Sequence, residues 1–93
     1  MLFAIFALDK PNSADKRKAV HAEHAAHLKK AADYGVTLTV GGPLIDDAGK
    51  DGIGSLMLIE APDRAAVEKF NRADPLQAVW SQVEIRRFDK RTG

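Results

Sequence analysis

The side chains best suited to proton chemistry or metal binding lie close together in this chain. All three histidines of a 93-residue protein without cysteine fall in Arg17-Lys-Ala-Val-His21-Ala-Glu-His24-Ala-Ala-His27-Leu28. On a helix, the spacing i, i+3, i+6 fans the rings over roughly 120°, so the outer two would not meet at one ion. The zincin arrangement needs histidines at i and i+4 with a glutamate between them. Here Glu23 precedes His24 and no histidine follows four residues on, so surface histidines without metal are the expectation. Arg17, Val20, His24, Leu28 and Ala31 lie within roughly a third of a turn of one another. That makes His24 the inward histidine, with His21 and His27 flanking the stripe and expected to reach water.

An inward histidine is more often a hydrogen-bonded core residue than a catalyst, unless a partner carboxylate gives it a task. Asp74 is the candidate partner. Asp before Pro75 is a good N-cap and needs no other explanation. Its carboxylate also sits at the C-terminus of a helix, where the macrodipole disfavours an anion and a nearby cation would relieve it. A carboxylate bound to an imidazole orients the ring and strengthens it as a general base. Arg17 shares the stripe but lies about 10.5 Å further along the axis, placed to clamp an anion or to cover apolar surface. Ser55 and the backbone of Gly41-Gly42-Pro43 are candidates to close a pocket. As a nucleophile Ser55 is the weaker reading, since no nucleophile elbow surrounds it.

These residues need elements to hold them. Leu2–Leu8 reads as a strand, with Phe3 and Ile5 on one face and Leu2, Phe6 and Leu8 on the other. Asn12 or Ser13 would cap a helix running to about Tyr34 and ending at Gly35. Val36–Val40 alternates as a second strand, with Val36, Leu38 and Val40 on one face. Five glycines and three aspartates from Gly41 to Gly54 predict a long, mobile connection. Ser55–Glu60 is a third strand, apolar on both sides. Asp63 caps a second helix that buries Val67 and Phe70 and stops at Asp74-Pro75, before one short turn over Leu76–Val79. Trp80–Phe88 is the last strand. The order β-α-β-β-α-β predicts an α+β, ferredoxin-like domain over 1–93, with a four-stranded antiparallel sheet carrying both helices on one face. The other sheet face is too apolar to remain wet, so a two-fold homodimer through it is expected.

Composition narrows the partners. Lys+Arg is 14 against Asp+Glu 13, a net charge of +1, with no clustered basic face outside the terminal arginines, so nucleic acid is not expected. The apolar start, Met1–Leu8, lacks a basic leader and meets Asp9-Lys10-Pro11, so it reads as a strand rather than an export signal. It is also too short to span a bilayer. A cytoplasmic protein without membrane contact is the expectation, and the absence of cysteine fits a reducing compartment.

The opening Met1-Leu-Phe-Ala-Ile, Lys16-Arg17 followed by His24-x-x-x-Leu28, Gly42-Pro43-Leu44, Gly54-Ser55 and Ala73-Asp74-Pro75 together resemble the YciI-like family over essentially the whole chain. The resemblance implies a dimeric α+β barrel, made when two ferredoxin-like sheets pack face to face. It also implies an active site built on a histidine–aspartate pair, matching His24 and Asp74 here. Some family members are associated with degradation of chlorinated aromatics as dehydrochlorinases. His21 and His27 match no family motif.

The functional expectation is a cofactor-independent lyase or isomerase acting on a small acid, aromatic or enol-bearing. His24 would shuttle a proton, Asp74 would orient it, and Arg17, Gly42, Pro43 and Ser55 would hold the substrate. No glycine-rich phosphate motif follows a strand. The alternative is a non-catalytic module that binds a small ligand or dimerises as an accessory.

Overall fold

The computed structural model describes residues 1–93. Four strands form one sheet in the order β2-β3-β1-β4: β1 (Leu2–Asp9), β2 (Thr37–Ile45), β3 (Gly52–Glu60) and β4 (Trp80–Arg87). Every neighbouring pair is antiparallel. Two α-helical segments and a 3₁₀ turn separate β1 from β2, and one α-helix and a 3₁₀ turn separate β3 from β4, which is the ferredoxin-like β-α-β-β-α-β arrangement.

Strand β1 alternates as a half-covered strand should. Phe3, Ile5 and Ala7 are buried against the helices, while Phe6 points to the open face. The same helix-side layer takes Met57 and Ile59 from β3 and Ile85 from β4, each paired with a buried β1 residue. Helix α3 (Arg64–Arg72) covers it with Val67 and Phe70, both fully buried. Asp63 caps α3 by accepting the Ala66 N–H at 2.9 Å.

The helix expected from Ser13 to Tyr34 is broken. It comprises α1 (Ala14–Ala19), a turn at Val20, α2 (His21–Leu28) and a separate 3₁₀ turn over Ala31–Tyr34. Gly35 ends this run in the left-handed region at φ 72°. Ser13 occupies the N-cap position of α1 but its hydroxyl makes no capping bond. The break changes which histidine is buried. His27, expected at the surface, is 7% exposed, and its Nε2–H donates to the Phe70 carbonyl at 2.8 Å. Its ring stacks on Phe70 and meets Tyr34 edge-on. His24 and His27 differ by only roughly 60° around a helix, so a buried face centred slightly to one side takes His27.

The mobile connection expected over 41–54 is instead a hairpin. β2 continues to Ile45 and β3 begins at Gly52, leaving a short turn in which the Asp46 N–H donates to Asp51 O and its side chain accepts the Lys50 N–H. Gly41, Gly52 and Gly54 serve close approach, while Gly49 takes the left-handed φ of 71° that the turn needs. A Cβ on Gly54 would lie 2.3 Å from the Ala7 carbonyl oxygen of β1. The pairing register shifts between Leu38 and Val40. Thr39 is the extra residue, so Val40 turns away from the Val36 and Leu38 face and is 60% exposed.

Candidate active site

A cavity of about 370 Å³ opens between the broken helix and the sheet, within the size range of small-molecule sites. Arg17, His24, Gly42, Pro43 and Ser55 all line it, with Leu28, Met57 and Leu76 supplying apolar wall. The stripe along the broken helix is therefore partly a cavity wall rather than core packing. Each line of sequence contributes one side: α1 gives Arg17, α2 gives His24, the β2 extension gives Gly42 and Pro43, and the start of β3 gives Ser55.

Asp74 lies behind His24. It ends the segment after α3, at the head of a 3₁₀ turn over Pro75–Ala78, and its Oδ1 accepts the Leu76 N–H at 2.9 Å. The N-cap role and the partner role coexist, because the same carboxylate meets His24 Nδ1 at 2.8 Å through Oδ1 and 3.0 Å through Oδ2. The Asp74 side chain is 1% exposed and that of His24 15%. A carboxylate facing Nδ1 fixes the ring with Nδ1–H as donor and leaves Nε2 as the nitrogen with no protein partner.

Arg17 is not a free clamp. Its Nη1 donates to both oxygens of Asp9, at 2.9 and 3.1 Å, and its Nη2 donates to Ser55 Oγ at 2.8 Å. Asp9 is not among the site residues that the sequence singles out. Its position at the end of β1, one residue before the chain leaves the sheet towards Arg17, was the available signal. Burial pushes the Asp9 carboxyl above its ordinary 3.8, and the charge and hydrogen bonds of Arg17 pull it only part of the way back. The cavity lining contains Arg17, Lys18, His21 and His24 but no carboxylate. His21, exposed as expected, stands at that lining and not in the core. No three histidine, aspartate or glutamate side chains converge as a metal cluster.

No helix is long and apolar enough to cross a membrane. The YCII-related domain model matches residues 1–89. Protein YciI of Escherichia coli is 36% identical, across 97% of this chain and 98% of its own length. Among solved structures, the chain resembles the 5-chloro-2-hydroxyhydroquinone dehydrochlorinase TftG of Burkholderia phenoliruptrix, in complex with 2,5-dihydroxybenzoquinone. The TM-score is 0.82 at 28% identity, over 96% of this chain and 94% of the other. It shares its fold alone with SnoaB, a cofactor-independent oxygenase from Streptomyces nogalater, at TM-score 0.55 and 16% identity, over 99% of this chain and 93% of the other. With the family model and a full-length relative in agreement, this chain belongs to the YCII-related domain family.

Proposed function

We propose that the protein is a cofactor-independent lyase or isomerase that moves a proton on a small, oxygen-rich acid of the enol or hydroxyaromatic type. The observation that carries this reading is His24, tied through Nδ1 to buried Asp74 while its ring lines a cavity shared with Arg17 and Ser55. His24 Nε2 takes a proton from the substrate. Asp74 is the positioning residue that holds the ring and stabilises the imidazolium as it forms. Arg17 and Ser55 receive the substrate's oxygens, and the Gly42–Pro43 backbone forms the opposing wall.

The dehydrochlorinase named above supports this class of chemistry. Loss of HCl from a chlorinated hydroxyhydroquinone requires a proton to move from a ring hydroxyl to the chlorine-bearing carbon, after which a base takes a second hydroxyl proton and the electron pair released into the ring expels chloride, leaving a quinone. The test is chloride release from 5-chloro-2-hydroxyhydroquinone, followed together with binding of 2,5-dihydroxybenzoquinone. Wild-type protein should release chloride and the His24→Ala variant should not. Equal turnover and equal affinity in both would contradict the assignment.

The functional unit is a homodimer closed through the open sheet face. Phe6, Leu56 and Val40 lie on that face and are 38%, 39% and 60% exposed, an apolar surface that favours a covering partner. Light scattering should give twice the chain mass for wild type and the chain mass for Leu56→Glu. A wild-type monomer at micromolar concentration would remove the dimer from the account.

A further inference from the structure

The hydrogen bonds around Ser55 assign it a role beyond lining the cavity. Its Oγ accepts from Arg17 Nη2 at 2.8 Å. Accepting that bond uses a lone pair and leaves the hydroxyl proton available as a donor. No protein acceptor takes it, although Ser55 is 2% exposed and lines the cavity. A buried donor without an acceptor carries a free-energy cost that a bound oxygen would remove.

Arg17 is prepared in the same way. Asp9 engages Nη1 and Ser55 engages Nη2, so the Nε–H and the second Nη2–H have no protein acceptor. Gly52 makes room for Arg17: a Cβ there would sit 2.9 Å from Nε and 3.0 Å from Cδ, so alanine would displace the guanidinium from its place between Asp9 and Ser55. Asp9 does not line this cavity. It stands behind Arg17 as Asp74 stands behind His24.

From this arrangement we infer that Ser55 Oγ–H and Arg17 form an oxyanion subsite opposite His24, that Asp9 is its positioning residue, and that the substrate carries an enol, quinol or ketone oxygen there. The inference rests on the proton-transfer reading above and specifies its other half. When His24 Nε2 removes a proton from substrate carbon, the C–H electron pair moves into the adjacent C=O. The oxygen becomes an enolate, which the Ser55 and Arg17 donors stabilise more strongly than the neutral carbonyl. The proton then returns from Nε2–H to another carbon, or the enolate electrons expel a leaving group.

Titration calorimetry with 2,5-dihydroxybenzoquinone tests the subsite, because its acidic enol oxygens can occupy it without turnover. Ser55→Ala removes the donor and adds no volume, and should weaken binding about 10- to 100-fold, the range for a hydrogen bond to a charged group. Gly52→Ala should weaken it comparably from the Arg17 side. In nitrogen-resolved NMR, the Arg17 Nε–H signal should shift on adding the probe. In Asp9→Asn that signal should broaden and lose its response while the fold's other amide signals persist, an outcome a merely structural Asp9 would not give. Binding within twofold of wild type in both Ser55→Ala and Gly52→Ala overturns the inference, as does a wild-type protein that neither binds the probe nor shifts the Arg17 signal. Loss of binding in Ser55→Ala together with unimpaired turnover in His24→Gln supports the subsite and removes His24 as the base.

Discussion

His24 and His27 stand three residues apart on one helix, yet they face opposite situations. The His27 ring is enclosed by Phe70 and Tyr34, and its Nε2–H is spent on the Phe70 carbonyl. The His24 ring spends Nδ1 on Asp74 and keeps Nε2 unpartnered beside a cavity. Both are held by tertiary contacts, so rigidity does not separate them. What separates them is where the second nitrogen points and whether a small molecule can reach it. A histidine whose surroundings are closed contributes to stability; one with an open nitrogen and a buried carboxylate behind it is arranged for proton transfer.

Substituting each histidine should separate the two roles. His24→Ala should lower turnover by about 10²- to 10⁴-fold, the usual range for a positioned acid–base group, as read by steady-state kinetics on an accepted substrate. His27→Ala should instead lower stability by about 3 kcal/mol, from the lost ring packing and the orphaned Phe70 carbonyl. Denaturant unfolding measures that loss, and the protein still folded should keep its activity. If His27→Ala were the variant that lost turnover at unchanged stability, the contrast would be reversed.

Asp74→Asn sharpens the comparison from behind the ring. An amide can still accept the Leu76 N–H, so the cap survives. The amide can also turn its NH₂ towards Nδ1 and favour the opposite tautomer. Turnover should fall about 10- to 100-fold while the thermal midpoint moves little; a large fall in the midpoint with normal kinetics would make Asp74 a cap alone.

Asp9, behind Arg17, gives the smallest effect, and its sign follows from linkage. The Asp9 carboxyl is raised in the folded chain, so between 3.8, its ordinary value, and that higher folded value the folded state holds more protons than the unfolded one. Stability should fall as pH rises across this window and remain at the lower level above it. Asp9→Asn should remove that fall from the pH profile of unfolding free energy, and an unchanged profile would count against the assignment.

Much of this was legible in the chain because local chemistry dictated it. Gly35, the Asp63 cap, the Asp74-Pro75 junction and the alternation of Phe3 and Ile5 each follow from a backbone or burial constraint visible within a few residues. Helical spacing also brought out His24, and the dipole argument at Asp74 supplied its partner. The errors came where the deciding contact was distant. Glycines 52 and 54 resembled loop residues because the groups they make room for, Arg17 and the Ala7 carbonyl, lie far away in sequence. His27 resembled a surface residue because Phe70, which encloses it, is on another helix. Asp9 was hidden for the same reason. Its place at the end of β1 is visible in the chain, but not that Arg17, itself bonded to Ser55, will meet it behind the cavity wall.

In the proposed mechanism His24 presents an unprotonated Nε2 to the cavity while Asp74 holds the proton-bearing Nδ1. Long-range proton–nitrogen NMR of the neutral imidazole tests this directly, with and without 2,5-dihydroxybenzoquinone. The expected result is a protonated-type Nδ1 signal, a pyridine-type Nε2 signal that moves when the compound binds, and loss of this pattern in Asp74→Asn. A His24 ring protonated on Nε2 and indifferent to both the compound and the Asp74 substitution would contradict it.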